Sequence, residues 1–144
     1  MTNMGKATSR VGVAVGMAPL VAAAGVAATH ATSNADPAAH QVRYTVTAGD
    51  TLQAKINYLT TEPPNQAAFN ADSSKYLTYV EAPIDPGTPW VMQTTLTDPN
   101  QWAIVTASGV LRTNPQFHCE IAVDGQTVVT QDGGSGVSCA LRPW

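Results

Sequence analysis

The side chains of this sequence that could bind a metal or take part in catalysis are few. The chain of 144 residues has three histidines, His30, His40 and His118, and two cysteines, Cys119 and Cys139. A zinc site needs three or four converging nitrogen, sulfur or oxygen ligands, and two oxidised cysteines would leave too few. His30 and His40 lie near the amino terminus, and His118 alternates with apolar residues in a predicted strand, so we expect its side chain to be exposed. The sequence therefore predicts no metal site.

Two patterns resemble hydrolase sites without completing them. Residues 133–136 read Gly-Gly-Ser-Gly, but Val137 stands where a nucleophile elbow requires the last glycine of G-x-S-x-G. Glu81 and Asp85 could act as a glycosidase carboxylate pair, whose chemistry depends on a separation that the sequence does not give. No phosphate loop or dinucleotide fingerprint occurs. We therefore expect a protein that is not an enzyme, with no catalytic residue and no cofactor.

The two cysteines are placed for a structural disulfide. Residues 117–123 alternate between apolar and polar side chains, as in a strand with one buried face, and Cys119 belongs to the apolar set. Asp124 and Gly125 tolerate positive φ and predict a tight hairpin turn, which we favour over a general-acid or calcium-binding role for Asp124. Cys139 also shares a face with apolar neighbours. In an oxidising compartment these features predict a Cys119–Cys139 disulfide, and two buried free thiols are the alternative.

The amino-terminal segment has the order of a secretory signal. Lys6 and Arg10 precede an uncharged stretch at residues 11–28, and small polar residues follow. Residues 33–35 fit a cleavage site that leaves Asp36 as the first mature residue, and alanines upstream are weaker candidate sites. An uncleaved anchor is the alternative, because the uncharged stretch approaches the ~20 residues that span a bilayer. The predicted segments are a signal peptide or anchor at 1–35, a flexible lead at 36–41 and a β-sandwich domain at 42–144.

The charge of the mature chain excludes nucleic acid as a partner. The whole chain has seven basic and ten acidic residues, and removal of Lys6 and Arg10 leaves five basic and ten acidic, a formal net charge of −5. Binding to phosphate backbones depends on clustered lysine and arginine, and these residues are scattered here.

The remaining sequence predicts an all-β fold. Alternating side chains and turn residues predict strands at residues 41–47, 52–58, 76–82, 91–97, 102–108, 117–123 and 126–129, with a last strand that carries Cys139. Residues 60–74 are predicted as a long loop, and a short helical turn is compatible with residues 66–76. Seven or eight short strands at this spacing indicate a small, two-sheet, immunoglobulin-like β-sandwich.

Several aromatic residues are candidates for a binding surface. Trp90 and Trp102 are predicted as core side chains, because a small sandwich needs large fillers. Tyr76 and Tyr79 lie beside the predicted long loop, and Trp144 ends the chain. Tyrosine and tryptophan are enriched at recognition surfaces. We therefore predict Tyr76, Tyr79 and Trp144 as a binding surface.

A series of short motifs extends over residues 42–141. They are Val-Arg-Tyr-Thr-Val-Thr at 42–47, the strand at 54–58, Pro-Trp at 89–90, Cys-Glu-Ile-Ala-Val-Asp-Gly at 119–125 and Ser-Cys at 138–139. In these motifs the sequence resembles the extracytoplasmic domain of the mycobacterial MmpS family, accessory proteins of RND-type lipid and siderophore exporters. The resemblance implies a β-sandwich with this disulfide, tethered outside the cytoplasmic membrane by one amino-terminal helix. It also implies an RND-type envelope transporter, or a lipid-like or siderophore-like ligand, as the partner.

Two features depart from the MmpS pattern. The apolar segment looks cleavable, and residues 60–74 look like an insertion. They favour an alternative, a freely secreted structural or interaction protein with the same fold and no transporter coupling. Both interpretations place the protein outside the cytoplasm, in the cell envelope or secreted, with membrane contact only if the amino-terminal segment is uncleaved.

Overall fold

The predicted all-β sandwich is confirmed. A computed structural model describes residues 37–110 and 113–143, and in them eight strands form two four-stranded antiparallel sheets. The strands are β1 His40–Ala48, β2 Leu52–Leu59, β3 Leu77–Ile84, β4 Trp90–Leu96, β5 Ile104–Gly109, β6 Phe117–Val123, β7 Gln126–Gly133 and β8 Gly136–Ala140. The helical elements are α1 Gln66–Ala71, a 3₁₀ turn Ser73–Lys75 and α2 Pro99–Trp102.

The strand order places β1 and β6 at the centre of one sheet and β2 and β5 at the centre of the other. The first sheet has the order β4-β1-β6-β7, and the second has the order β3-β2-β5-β8. The β6–β7 hairpin turns at Asp124 and Gly125, whose φ angles are 50° and 83°. Two adjacent residues with positive φ match the right-handed twist of the paired strands. The turn predicted from these two residues is therefore confirmed.

The core forms where the inward faces of the two sheets meet. Val42, Tyr44 and Val46 of β1 are buried, and the residues between them face outward, as the two-residue period of a strand requires. The Tyr44 hydroxyl donates a hydrogen bond to the Leu59 carbonyl oxygen at 2.8 Å. Burial raises the pKa of the Tyr44 phenol, so the group stays neutral in the core. The side-chain oxygen of Tyr44 therefore has a hydrogen-bond partner inside an otherwise apolar core.

The predicted disulfide is present and joins the two sheets. Cys119 lies on β6 of the first sheet and Cys139 on β8 of the second, and neither is exposed. Their Cα atoms are 6.0 Å apart, within the usual range for a disulfide. The bond therefore crosses the interior of the sandwich.

A glycine-rich corner carries the chain from β7 in the first sheet to β8 in the second. A Cβ atom added to Gly133 would overlap the backbone carbonyl of Gly136. The Gln116 N–H donates to the Gly134 carbonyl oxygen at 3.1 Å, which holds the corner against the preceding loop. Residues 133–136 thus form a tight structural corner.

Two short helices close one end of the sandwich. Asn65 caps α1 by accepting a hydrogen bond from the Ala68 N–H at 2.8 Å. Phe69 of α1 is buried, and its ring centroid lies 6.0 Å from that of Trp102 in α2. Trp102 is buried as predicted, and Trp90 packs partly buried against the core. The loop predicted at residues 60–74 therefore contains a helix that contributes to the core.

Several predicted strand bounds are wrong. The strand predicted at residues 102–108 begins at Ile104 instead, because Asp98 caps α2 through the Gln101 N–H at 3.2 Å and this helix extends through Trp102. β3 starts one residue later than predicted and continues through Pro83. Proline has no backbone N–H to donate, and β3 tolerates this because it is an edge strand.

The ends of two other strands also differ from the prediction. β1 begins at His40, one residue before its predicted start at residue 41, so the sheet includes the last two residues of the predicted lead. β7 reaches Gly133, four residues beyond its predicted end. The predicted signal or anchor segment and Trp144 lie outside the described residues. Within the described ranges, no helix combines the length and apolar character needed to cross a membrane.

Removing the disulfide is expected to destabilise the fold. The double variant Cys119→Ala, Cys139→Ala should lose about 3 kcal/mol of unfolding free energy, because the bond joins residues 20 apart in sequence. Chemical denaturation followed by tryptophan fluorescence measures the loss. Reduced wild-type protein is the control and should unfold at a similar denaturant concentration. A double variant as stable as oxidised wild type would contradict this role.

The glycine corner gives a second stability prediction. Gly133→Ala should lower the free energy of unfolding by about 2 kcal/mol or more, because the added methyl group meets backbone that cannot move aside. Gly87→Ala is the matched control, since the nearest neighbour of its added methyl group would be an Asp85 carboxylate oxygen at 3.4 Å. This variant should change the free energy of unfolding by no more than about 0.5 kcal/mol. Equal losses in thermal unfolding of the two variants would show that the corner is not tightly packed.

Candidate functional site

The predicted aromatic surface is divided between the exterior and the core. Tyr79 lies on the outward side of β3 and is 52% exposed. Its hydroxyl is hydrogen-bonded to the Glu81 carboxylate, which raises the pKa of the Tyr79 phenol. Tyr76 is partly buried against the core, with its ring centroid 6.3 Å from that of Phe69. Tyr79 is therefore the exposed one of these two tyrosines.

The polar residues considered for catalysis are engaged in local structural contacts. His118 Nδ1 lies 2.8 Å from Asp132 Oδ1, across the pairing of β6 with β7. Glu81 accepts from Tyr79, and Asp85 accepts a hydrogen bond from the Gly87 N–H at 2.9 Å within a turn. Among residues 37–110 and 113–143, no three histidine, cysteine, aspartate or glutamate side chains are grouped to hold a metal ion.

A groove of about 210 Å³ lies on the outer face of the first sheet. Its lining residues come from β1, β4, β6 and the β6–β7 turn: Gln41, Val42, Arg43, Gln93, Ala122 and Gly125. Arg43 is paired in register with Gln93 on one side and with Ala122 on the other. We call this site the Arg43 groove. The sequence carries no local signal for this groove, because its residues come together only through strand pairing.

A short side chain at the floor leaves the space that forms the Arg43 groove. Ala122 is only 2% exposed although it pairs with the outward-facing Arg43, so it forms the floor. A change of register between Ile121 and Ala122 marks a bulge in the pairing of β6 with β7. Bulges alter the direction of side chains and the local twist. The groove thus follows from a short side chain next to an irregular strand pair.

Arg43 is the charged side chain that lines the groove. Its Nη2 atom lies 3.8 Å from Glu120 Oε1, and the two side chains are 48% and 27% exposed. That separation exceeds a hydrogen bond, and exposed ion pairs of this kind contribute little to stability. Glu120 Oε1 also accepts a hydrogen bond from the Thr127 hydroxyl at 2.8 Å. The guanidinium group therefore keeps donors free for another partner.

A second polar contact fixes one end of the groove. His40 Nδ1 lies 2.6 Å from Asp124 Oδ2, and the Gln41 N–H donates to Asp124 Oδ1 at 2.9 Å. The Asp124 N–H in turn donates to the Gln41 carbonyl oxygen at 2.8 Å. The hydrogen bond with His40, followed by that from Gln41, lowers the pKa of the Asp124 carboxyl group. The hairpin turn is thereby held to the start of β1.

These features define an antiparallel β-sandwich domain with one inter-sheet disulfide and a polar groove on an outer face. The chain belongs to the Rv2576c β-sandwich domain family, whose profile matches residues 44–139. It is similar to the protein named "Uncharacterized protein Rv2576c" of Mycobacterium tuberculosis and to "Uncharacterized protein Mb2606c" of Mycobacterium bovis. Each is 61% identical over 114 residues, which cover 79% of this chain and 74% of the relative.

The family match covers most of the sandwich and both cysteines. It begins at Tyr44 within β1 and ends at Cys139 within β8. The family and its β-sandwich are therefore established, with relatives in mycobacteria. The relationship to the MmpS family stays a prediction.

The contacts of Asp124 predict an acid-sensitive contribution to stability. Because its pKa is lowered on folding, the ionised carboxylate stabilises the fold above the ordinary pKa of 3.8, and this contribution disappears as the pH falls through the lower pKa of the folded state. Asp124→Asn should therefore be less stable than wild type at about pH 5, and the difference should shrink in stronger acid. Chemical denaturation at a series of pH values measures it.

The matched control places the same change in a His40→Ala background. In that background Asp124→Asn should reduce stability less, because the hydrogen bond with His40, which lowers the pKa of Asp124 most, is already absent. If Asp124→Asn reduced stability equally, and with the same pH dependence, in wild type and in His40→Ala, the two side chains would not be coupled.

Proposed function

We propose that the protein is an exported, non-enzymatic binding domain of the cell envelope, similar in role to the MmpS accessory proteins of RND-type exporters. The observation that carries the proposal is the buried Cys119–Cys139 bond between the sheets. Disulfides form and persist in oxidising compartments and are rare in the reducing cytosol. A sandwich with such a bond in its core suits a protein that completes folding after export.

Binding, rather than catalysis, is the activity that the surface favours. The Arg43 groove offers a guanidinium group and the amide side chains of Gln41 and Gln93, which can recognise a ligand without transforming it. His118 and Glu81 are instead paired with Asp132 and Tyr79. These arrangements support a role in recognition.

Two partners agree with the resemblance to MmpS proteins. One is an RND-type envelope transporter, which the domain would assist. The other is a lipid-like or siderophore-like molecule, which the domain would carry or contact. The origin of the relatives in mycobacteria agrees with such a role in the envelope.

The location and processing of the native protein test this proposal. Cells are separated into cytosol, membrane and culture filtrate, and the amino terminus of the recovered protein is identified by mass. We expect the protein outside the cytosol. An intact amino terminus in the membrane, together with a transporter that co-purifies in mild detergent, supports the accessory role.

Other outcomes of the fractionation are equally informative. A culture-filtrate species that begins at Asp36 would favour the freely secreted alternative over transporter coupling. Recovery of the whole chain from the cytosol with reduced cysteines would overturn export itself. A variant that lacks residues 2–35 is the matched control and should stay in the cytosol.

A further inference from the structure

We propose that the Arg43 groove binds a small oxyanion, the carboxylate or phosphate group of a ligand. This inference rests on the proposed function in one respect, that the protein acts by binding. It adds the chemistry of the ligand and the residues that recognise it.

Charge and hydrogen-bonding capacity point to an oxyanion. Arg43 contributes a planar guanidinium group with five N–H donors, a geometry that matches carboxylate and phosphate oxygens. Gln41 and Gln93 lie on the same outer face and can donate from their amide groups. The Gln41 amide makes a long contact of 3.4 Å with the Thr95 hydroxyl, which an anion can replace. Cationic and neutral donors thus surround one space.

The size of the groove limits the ligand group. A volume of about 210 Å³ is below the range of about 300–1,000 Å³ that is usual for pockets of drug-sized ligands, so the groove suits one head group rather than a whole large ligand. Ala122 forms the floor, so a larger residue there would fill the space. The remainder of the ligand would lie over the outer face of the first sheet, where Val91 is exposed two residues before Gln93 on β4.

Two carboxylates near the groove set the strength of binding. Asp124 is already engaged by His40 and by the Gln41 N–H, so its charge is partly offset. Glu120 is the direct competitor, because its carboxylate is the ion-pair partner of Arg43, at a distance of 3.8 Å. An incoming anion must displace this loose pair and tolerate the negative charge of Glu120. We therefore expect millimolar affinity for a small anion, and stronger binding when Glu120 is neutralised.

Titration of the isotope-labelled full-length protein with acetate and with inorganic phosphate tests the inference. Amide chemical shifts are followed by NMR at constant pH and constant ionic strength, which chloride maintains. We expect saturable shifts at Arg43, Gln93, Ala122 and Gly125 with at least one of the two anions. The anion that binds more tightly identifies the head group as a carboxylate or a phosphate.

Matched variants separate specific recognition from general attraction to a cation. Arg43→Gln should weaken binding at least tenfold, whereas Lys55→Gln, which removes an exposed cation from the outer face of the second sheet, should leave it unchanged. Glu120→Gln should strengthen binding several-fold. Ala122→Leu should abolish it if the spectrum shows that the fold is kept, and Arg43→Gln remains decisive if that variant does not fold.

Several results would overturn the inference. They are the absence of saturable shifts at the groove with both anions, equal binding by wild type and Arg43→Gln, and weaker binding by Glu120→Gln. Because the titration uses purified protein, such a failure would leave the export proposal intact, while cytosolic recovery in the fractionation would leave the anion site intact.

Discussion

The fold depends on keeping two separate sheets face to face, and the Cys119–Cys139 bond does this covalently. β6 lies between β1 and β7 in the first sheet, and β8 pairs with β5 in the second, so the bond connects the inner layers of both. Apolar packing alone can slide or open at the edges of a small sandwich, because the hydrophobic effect has no direction. A covalent link at full burial fixes the relative position of the sheets.

The turns on either side of β7 bring the second cysteine to the first. Asp124 and Gly125 reverse the chain after β6, and the glycine corner at 133–136 then transfers it to the opposite sheet. The first of these turns has a second consequence, because Gly125 also lines the Arg43 groove. The local geometry that positions the disulfide therefore also shapes one end of the candidate binding site.

The sequence predicted those features that depend on local pattern. Alternation located β1, β2 and β6, and it placed Cys119 and Cys139 on buried faces. It missed α2, because one helical turn has no measurable period and the Asp-Pro pair that can end a strand can also begin a helix. The groove could not be predicted, since it needs the register of three strands and a bulge. The contact between His40 and Asp124 joins residues 84 apart, and neither carries a local signal for the other.

The state of the two thiols in the protein taken directly from its native cells shows whether the Cys119–Cys139 bond forms there. The protein is denatured and treated with an alkylating reagent, with and without prior reduction, and its intact mass is measured. We expect no alkylated cysteine without reductant and two after reduction, since the chain has two cysteines and both are in the bond. Two alkylated cysteines without reductant would contradict it.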